Sequence, residues 1–159
     1  MTMNRRNFIA TLGALFAMHR ADAASPADTK VEKLRLSDDE WKKRLSPEAY
    51  AVLRHESTER AGTSPLNGEK RKGTFACAGC DLALFTSETK FESGTGWPSF
   101  FSFIPGHLET KTDFKLVLPR TEYHCARCEG HQGHVFDDGP KPTGKRYCNN
   151  GVALKFVPA

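Results

Sequence analysis

Residues 122–136 read EYHCARCEGHQGHVF, and the order of residue types along them decides the architecture. Glu122-Tyr123-His124 is a short aromatic strand candidate, Cys125-Ala126-Arg127-Cys128 is a C-x-x-C turn, and His134-Val135-Phe136 is a second strand candidate. The same unit occurs upstream: Thr74-Phe75-Ala76 runs into Cys77-Ala78-Gly79-Cys80, and Leu82-Ala83-Leu84-Phe85 follows. A C-x-x-C turn can aim both sulfurs at one edge of a metal ion, so two facing turns supply the four thiolates of a closed tetrahedral zinc site. Closed means structural, with no open position for substrate. Two local disulfides or two redox motifs are the alternatives, which an oxidising exterior would favour. Neither knuckle precedes a helix, as a thioredoxin-type motif does.

Around these units the chain keeps one character. Ser99-Phe100-Phe101-Ser102-Phe103, Phe114-Lys115-Leu116-Val117-Leu118, Arg146-Tyr147-Cys148 and Val152-Ala153-Leu154-Lys155-Phe156 are further strand candidates, separated by Gly, Pro and Asp. Before Gly73 the signals are helical. Ser37-Asp38-Asp39-Glu40 has the form of a capping box, and Ser46-Pro47 sets a cap residue before a proline at the first helical position, predicting helices over 38–44 and 47–56. Trp41, Leu45, Tyr50 and Leu53 are their apolar residues. Residues 61–73, AGTSPLNGEKRKG, have no periodicity and predict an exposed loop. The fold class is mainly β, an antiparallel domain with two short helices at its front.

The 159 residues hold 23 Lys plus Arg against 19 Asp plus Glu and are 38% hydrophobic, which suits one compact domain. Both signs of charge are mixed along the chain, and no basic block marks a nucleic-acid footprint. At the N-terminus Arg5 and Arg6 precede an apolar run from Phe8 to Met18, shorter than the ~20 residues of a membrane-spanning helix. This fits a signal peptide over 1–23 with Ala21-Asp22-Ala23 as the cleavage site. Asn4-Arg5-Arg6-Asn7-Phe8-Ile9 resembles a twin-arginine export signal. A short amphipathic helix on a cytosolic protein is the alternative. Residues 24–33 are expected to be a flexible tether and 34–159 the domain, so the protein is expected to be exported to the periplasm, with no membrane insertion after cleavage.

Five cysteines are an odd number. With four committed to metal, Cys148 is the free thiol. Arg146, two residues before it, shares its face of a strand and favours thiolate over thiol. His131 and His134 are candidates for proton donors at the same site. An inert buried thiol beside two surface histidines is the other reading of these residues.

Several motifs together resemble one family. Leu45-Ser46-Pro47-Glu48-Ala49-Tyr50, Phe91-Glu92-Ser93-Gly94-Thr95-Gly96-Trp97-Pro98-Ser99-Phe100, Gly130 to Pro140, Pro142-Thr143-Gly144 and Arg146-Tyr147-Cys148-Asn149-Asn150 stand in the order of the B-type methionine sulfoxide reductases, and both knuckles fall where that family places them. The resemblance implies two small antiparallel sheets with the four-cysteine zinc site, one structural Zn2+, far from catalysis. It implies reduction of methionine-R-sulfoxide, peptide-bound in preference, for the repair of oxidised proteins. Cys148 would be the nucleophile. His134, with Asn150 and water, would act on the sulfoxide oxygen, His131 would line the pocket, and Trp97 would offer its indole to the ε-methyl group. Flanked by Gly96 and Pro98, Trp97 reads as a loop residue rather than a core aromatic. Asp138 is a candidate to orient Arg146.

One position departs from many members, which carry a resolving cysteine where this chain has Thr95. Recycling is therefore expected from an external thiol, a thioredoxin-like protein or a small thiol such as glutathione. The expected partners are otherwise oxidised proteins, and a monomer is expected. A zinc-knuckle binding module of the related nucleotide-exchange-chaperone fold is the non-catalytic rival, and a Cys–His acyl-transfer enzyme the catalytic one.

Overall fold

The computed structural model describes residues 31–116 and 118–159. The expected signal peptide and residues 24–30 of the expected tether lie outside them. Packing begins before Leu34: Val31 already lies against the core, and Lys33 Nζ reaches Glu109 at 2.9 Å, so residues 31–33 belong to the domain rather than to a tether.

Helices α1 (Asp38–Arg44) and α2 (Pro47–His55) start where their caps require. Ser37 Oγ accepts from Glu40 N while Glu40 Oε2 accepts from Ser37 N at 2.8 Å, and Ser46 Oγ accepts from Ala49 N at 3.2 Å. Such caps contribute about 1 kcal/mol each. Glu56 ends α2 in the left-handed region, φ 53°. Both helices turn their apolar face to the knuckles. Arg54 Nη1 donates to Cys128 O at 2.8 Å, and the faces of Gly79 and Gly130 lie so near Trp41 and Leu53 that a Cβ at Gly130 would stand 2.8 Å from Leu53 Cδ2. Tyr50 is half-buried and donates its hydroxyl to Asp38 instead of entering the core.

Nine strands follow among the described residues: β1 (Gly73–Cys77), β2 (Ala83–Thr86), β3 (Lys90–Phe91), β4 (Ser99–Phe100), β5 (Leu108–Asp113), β6 (Arg120–Cys125), β7 (His131–Phe136), β8 (Arg146–Asn149) and β9 (Leu154–Pro158). They form two antiparallel sheets, ordered β2-β1-β9 and β3-β4-β8-β7-β6-β5. Phe75, Phe85, Phe100 and Tyr123 are fully buried between them. Phe85 stacks on Phe100 with ring centroids 4.0 Å apart, and Phe75 meets Phe100 edge-on at 5.0 Å. Each such ring contributes roughly 1.5–3 kcal/mol by leaving water.

Three expectations are corrected. Of the strand expected over 114–118, the described residues 114–116 and 118 lie in no strand. The ladder partner of β6 is β5, paired from Leu108 opposite Cys125 to Asp113 opposite Arg120, and residues 114–119 are the connection between them. β5 is an edge strand whose interior residues are exposed, so it needs no apolar alternation to form. The strand expected over 99–103 ends at Phe100. The loop 61–73 is partly internal: Ser64 is buried, and Gly62 N and Asn67 Nδ2 both donate to Gly96 O, at 2.8 and 3.0 Å.

Candidate active site and metal centre

Cys77, Cys80, Cys125 and Cys128 are buried and unbridged, and their four sulfurs lie within 4.8 Å of one another. Cys77 Sγ is 3.6 Å from Cys128 Sγ, and Cys80 Sγ is 3.4 Å from Cys125 Sγ. Four thiolates around a zinc ion at about 2.3 Å stand about 3.8 Å apart, close to this set. The donors therefore fit a closed tetrahedral ion. The cluster fastens the ends of β1 and β6, and Gln132 Nε2 donates to Cys77 Sγ at 3.4 Å.

The fifth thiol lies elsewhere, on β8. Cys148 is directly opposite Ser99 on β4 and His134 on β7, and directly opposed residues place their Cβ atoms about 4.5–5.5 Å apart on one face. A cavity of about 160 Å3 opens there, walled by Cys148, His134, Asn150, Trp97, Thr58 and Arg120. Gly133 allows the strands to close, because a Cβ there would meet Cys148 O at 1.9 Å. Trp97 is held by Nε1 donating to Glu59 O at 3.0 Å. Its loop turns at Gly96, φ 90°, where a Cβ would come within 2.9 Å of Gly62 N.

His131 and His134 are three residues apart, yet they share a face. Tyr123 pairs with Gly133 while His124 pairs with His131, so Gln132 is an extra residue, a bulge that turns His131 to the side of His134. Their ring centroids are 5.4 Å apart. His131 is buried beside His134, its Nδ1 donating to Glu122 Oε1 at 2.7 Å. Burial acts to raise the Glu122 carboxyl, but the bonds from His124 and His131 outweigh it and hold its pKa at about 2.

His134 faces the cavity and donates from Nε2 to Asp113 Oδ2 at 2.8 Å. Asp113 also accepts from Lys115 N at 2.8 Å and Arg120 Nη2 at 2.7 Å, and these contacts, the backbone bond first, hold it well below the usual carboxylate range. Desolvation lowers the His134 pKa, against the opposing effect of Asp113, so its neutral form prevails at pH 7. Asn150 lines the cavity, but its amide is engaged: Oδ1 accepts from Glu59 N and Nδ2 donates to Gln132 O, both at 2.9 Å. It fastens the wall that carries Thr58 and Glu59 to β7.

Arg146 does not wall the cavity. Its Nε and Nη2 donate to Asp138 at 2.8 and 2.9 Å, and its guanidinium lies 4.3 Å from the centroid of Phe136. The expected pull toward thiolate is outweighed. Burial raises the Cys148 pKa above its ordinary value of 9.0, while Arg146 and the hydroxyl of Thr95 act to lower it. Alkylation of the free enzyme by iodoacetamide should therefore accelerate with pH through a midpoint above 9.0; a midpoint near 7 would contradict the burial argument. No local pattern marks Asp113, Arg120, Glu122, Thr58 or Glu59, because ordinary polar residues acquire these places only through pairing of distant segments.

The family described as the SelR domain matches residues 45–158. The chain is 48% identical over 147 residues to the chloroplastic peptide methionine sulfoxide reductase B1 of Arabidopsis thaliana, covering 92% of this chain and 72% of that protein. It is 50% identical over 121 residues to peptide methionine sulfoxide reductase MsrB of Leptospira interrogans, with 76% and 92% covered. It is 52% identical over 131 residues to the MsrB of Methanosarcina barkeri, with 82% and 90% covered. With four cysteines gathered in one cluster and a separate thiol paired across the sheet with a histidine, the chain belongs to the SelR-domain family of peptide methionine sulfoxide reductases.

Proposed function

We propose that the protein reduces the R epimer of methionine sulfoxide, taken in preference as a side chain of an oxidised polypeptide, and that Cys148 is the nucleophile. The observation that carries this reading is that the one cysteine outside the cluster opens onto the cavity between His134 and Trp97. A sulfoxide needs a soft nucleophile at sulfur and a proton at oxygen. The Nε2 bond to Asp113 leaves Nδ1 of His134 without a partner among the described residues, able to take the thiol proton and return it to oxygen. The Cys148 sulfur bonds to the sulfoxide sulfur as the protonated oxygen leaves as water; a water then attacks the Cys148 sulfur and breaks the new S–S bond, releasing the thioether and leaving Cys148 as the sulfenic acid. An external thiol then displaces water to give a mixed disulfide, and a second thiol releases Cys148 as its own disulfide forms. Trp97 offers the apolar wall for the methyl group. His131, buttressed by Glu122, keeps His134 in place.

Zinc is the metal that the four-sulfur set suits, and bound there it would tie the two knuckles together. Thr95, whose hydroxyl acts to lower the pKa of the Cys148 thiol, stands at the position where a resolving cysteine would be. The chain has five cysteines, four of them in the cluster, which is why the reductant is read as external. An exported location rests on Arg5-Arg6 and the apolar run behind them.

Methionine-R-sulfoxide should be turned over with dithiothreitol, while S-sulfoxide and ester substrates are left untouched. Without reductant, one turnover should yield one methionine per chain and a sulfenic acid on Cys148 that dimedone traps. Thr95→Cys should convert the trapped species to a disulfide. An intrachain disulfide to Cys148 in the unmutated, zinc-loaded protein would overturn the one-cysteine cycle.

A further inference from the structure

The exposed large apolar side chains among the described residues are Phe114, Leu116, Leu118 and Val157. Three of these four stand in the single connection between β5 and β6. Phe114, Leu116 and Leu118 are 77, 58 and 76% exposed, whereas large apolar groups scattered over an ordinary surface come singly. Both ends of the connection are anchored at the cavity. Asp113, before it, accepts from His134, and Arg120, after it, is part of the cavity wall. Lys115 within it pairs with Glu56, two residues before Thr58 on the opposite wall. The strip is continuous with the mouth of the site.

The cavity has room for one side chain, so the polypeptide on either side of a bound sulfoxide residue must cross the rim. Three exposed apolar side chains close together in sequence offer that polypeptide apolar area to lie on at the rim. We propose that Phe114, Leu116 and Leu118 form a docking strip for an extended, non-native segment of oxidised protein that carries apolar side chains within a few residues of its methionine sulfoxide. Methionine is a core residue, and its sulfoxide disrupts the core that held it. The neighbours exposed by that disruption are apolar, which is the chemistry the strip offers. This inference rests on the reductase reading above and names its substrate class.

The test compares the full-length, zinc-loaded protein with its Phe114→Ser/Leu116→Ser/Leu118→Ser variant, using dithiothreitol as reductant. The substrates are N-acetyl-methionine-R-sulfoxide and two peptides of equal length whose sulfoxide is flanked by Gly and Ser or by Leu, Phe and Val. The unmutated protein should prefer the apolar-flanked peptide about tenfold or more in kcat/KM, through KM, and the variant should lose that preference. Turnover of the N-acetyl substrate should be equal for both proteins. No preference in the unmutated protein, or an equal loss on all three substrates, would overturn the strip. So would a loss confined to assays driven by a thioredoxin-like protein, which would assign the strip to the reductant. Fluorescence polarisation of both labelled peptides on Cys148→Ser, with and without the triple change, separates the two readings. If the unmutated protein reduces no sulfoxide, the reductase reading fails, and the strip then stands or falls on whether the triple change removes apolar-peptide binding.

Discussion

Replacing Cys148 with serine is expected to cut sulfoxide reduction by at least about a hundredfold while leaving the fold in place. In the proposed mechanism the soft sulfur is the attacking atom, and a hydroxyl at the same position is a far poorer nucleophile toward sulfur and ionises too weakly for His134 to activate it. Serine is close to cysteine in shape. Cys148 is only half-buried, with Thr95 beside it, so the hydroxyl finds a partner and no cavity forms. The measurement is kcat/KM with dithiothreitol alongside melting temperature and zinc content. Residual turnover above a few per cent, with structure and metal intact, would remove Cys148 from the role. The same variant should bind sulfoxide peptides undiminished, because the walls from Trp97, Thr58 and Arg120 are untouched.

Stripping the metal, or changing any one of Cys77, Cys80, Cys125 and Cys128 to serine, is expected to lower the melting temperature by at least about 15 °C. Structural zinc sites contribute on the order of 10 kcal/mol of binding free energy, which is folding free energy when the site does not exist in the unfolded chain. The net stability of a domain is only about 5–15 kcal/mol, so little margin remains without it. The cluster is also what α1 and α2 pack on: Arg54 bonds Cys128 O, and Leu53 and Trp41 lie against the knuckle glycines. Loss of the ion leaves four sulfurs buried and crowded where helices, β1 and β6 meet. Differential scanning calorimetry with and without chelator, with zinc counted by mass spectrometry, reads the effect. An unchanged melting temperature after complete zinc removal would deny the site its structural role.

A route from this end to the site is visible in the polar core. Gln132 donates to Cys77 Sγ and accepts from Asn149 Nδ2 at 3.3 Å, and Asn149 Oδ1 accepts from Tyr123 at 2.8 Å. Asn149 is the neighbour of Cys148 on β8. Buried polar networks of this kind fix one arrangement of strands because any slip leaves groups unpaired. The metal end and the thiol end therefore share one register.

The elements legible in the sequence are those whose cause is local. Ser37 and Glu40, or Ser46 and Pro47, carry their helix starts within four residues, and both helices begin there. The knuckles bring two sulfurs together through one turn, and the parity of five cysteines singles out Cys148. What the sequence could not set is what depends on partners far along the chain. β5 is polar along its exposed length and pairs only because β6 is beside it, while Phe114, Leu116 and Leu118, more apolar, stand outside every strand. A bulge at Gln132, which exists only relative to β6, decides that His131 shares the face of His134. Asn150 is committed to Gln132 on the neighbouring strand and to Glu59, 91 residues earlier in the chain. The direction of the Cys148 pKa follows the same rule. Arg146 is its neighbour in sequence and acts to lower it, but burial by packed strands is a property of the tertiary structure and is the stronger effect, because removing a thiolate from water costs more than one shared cation returns.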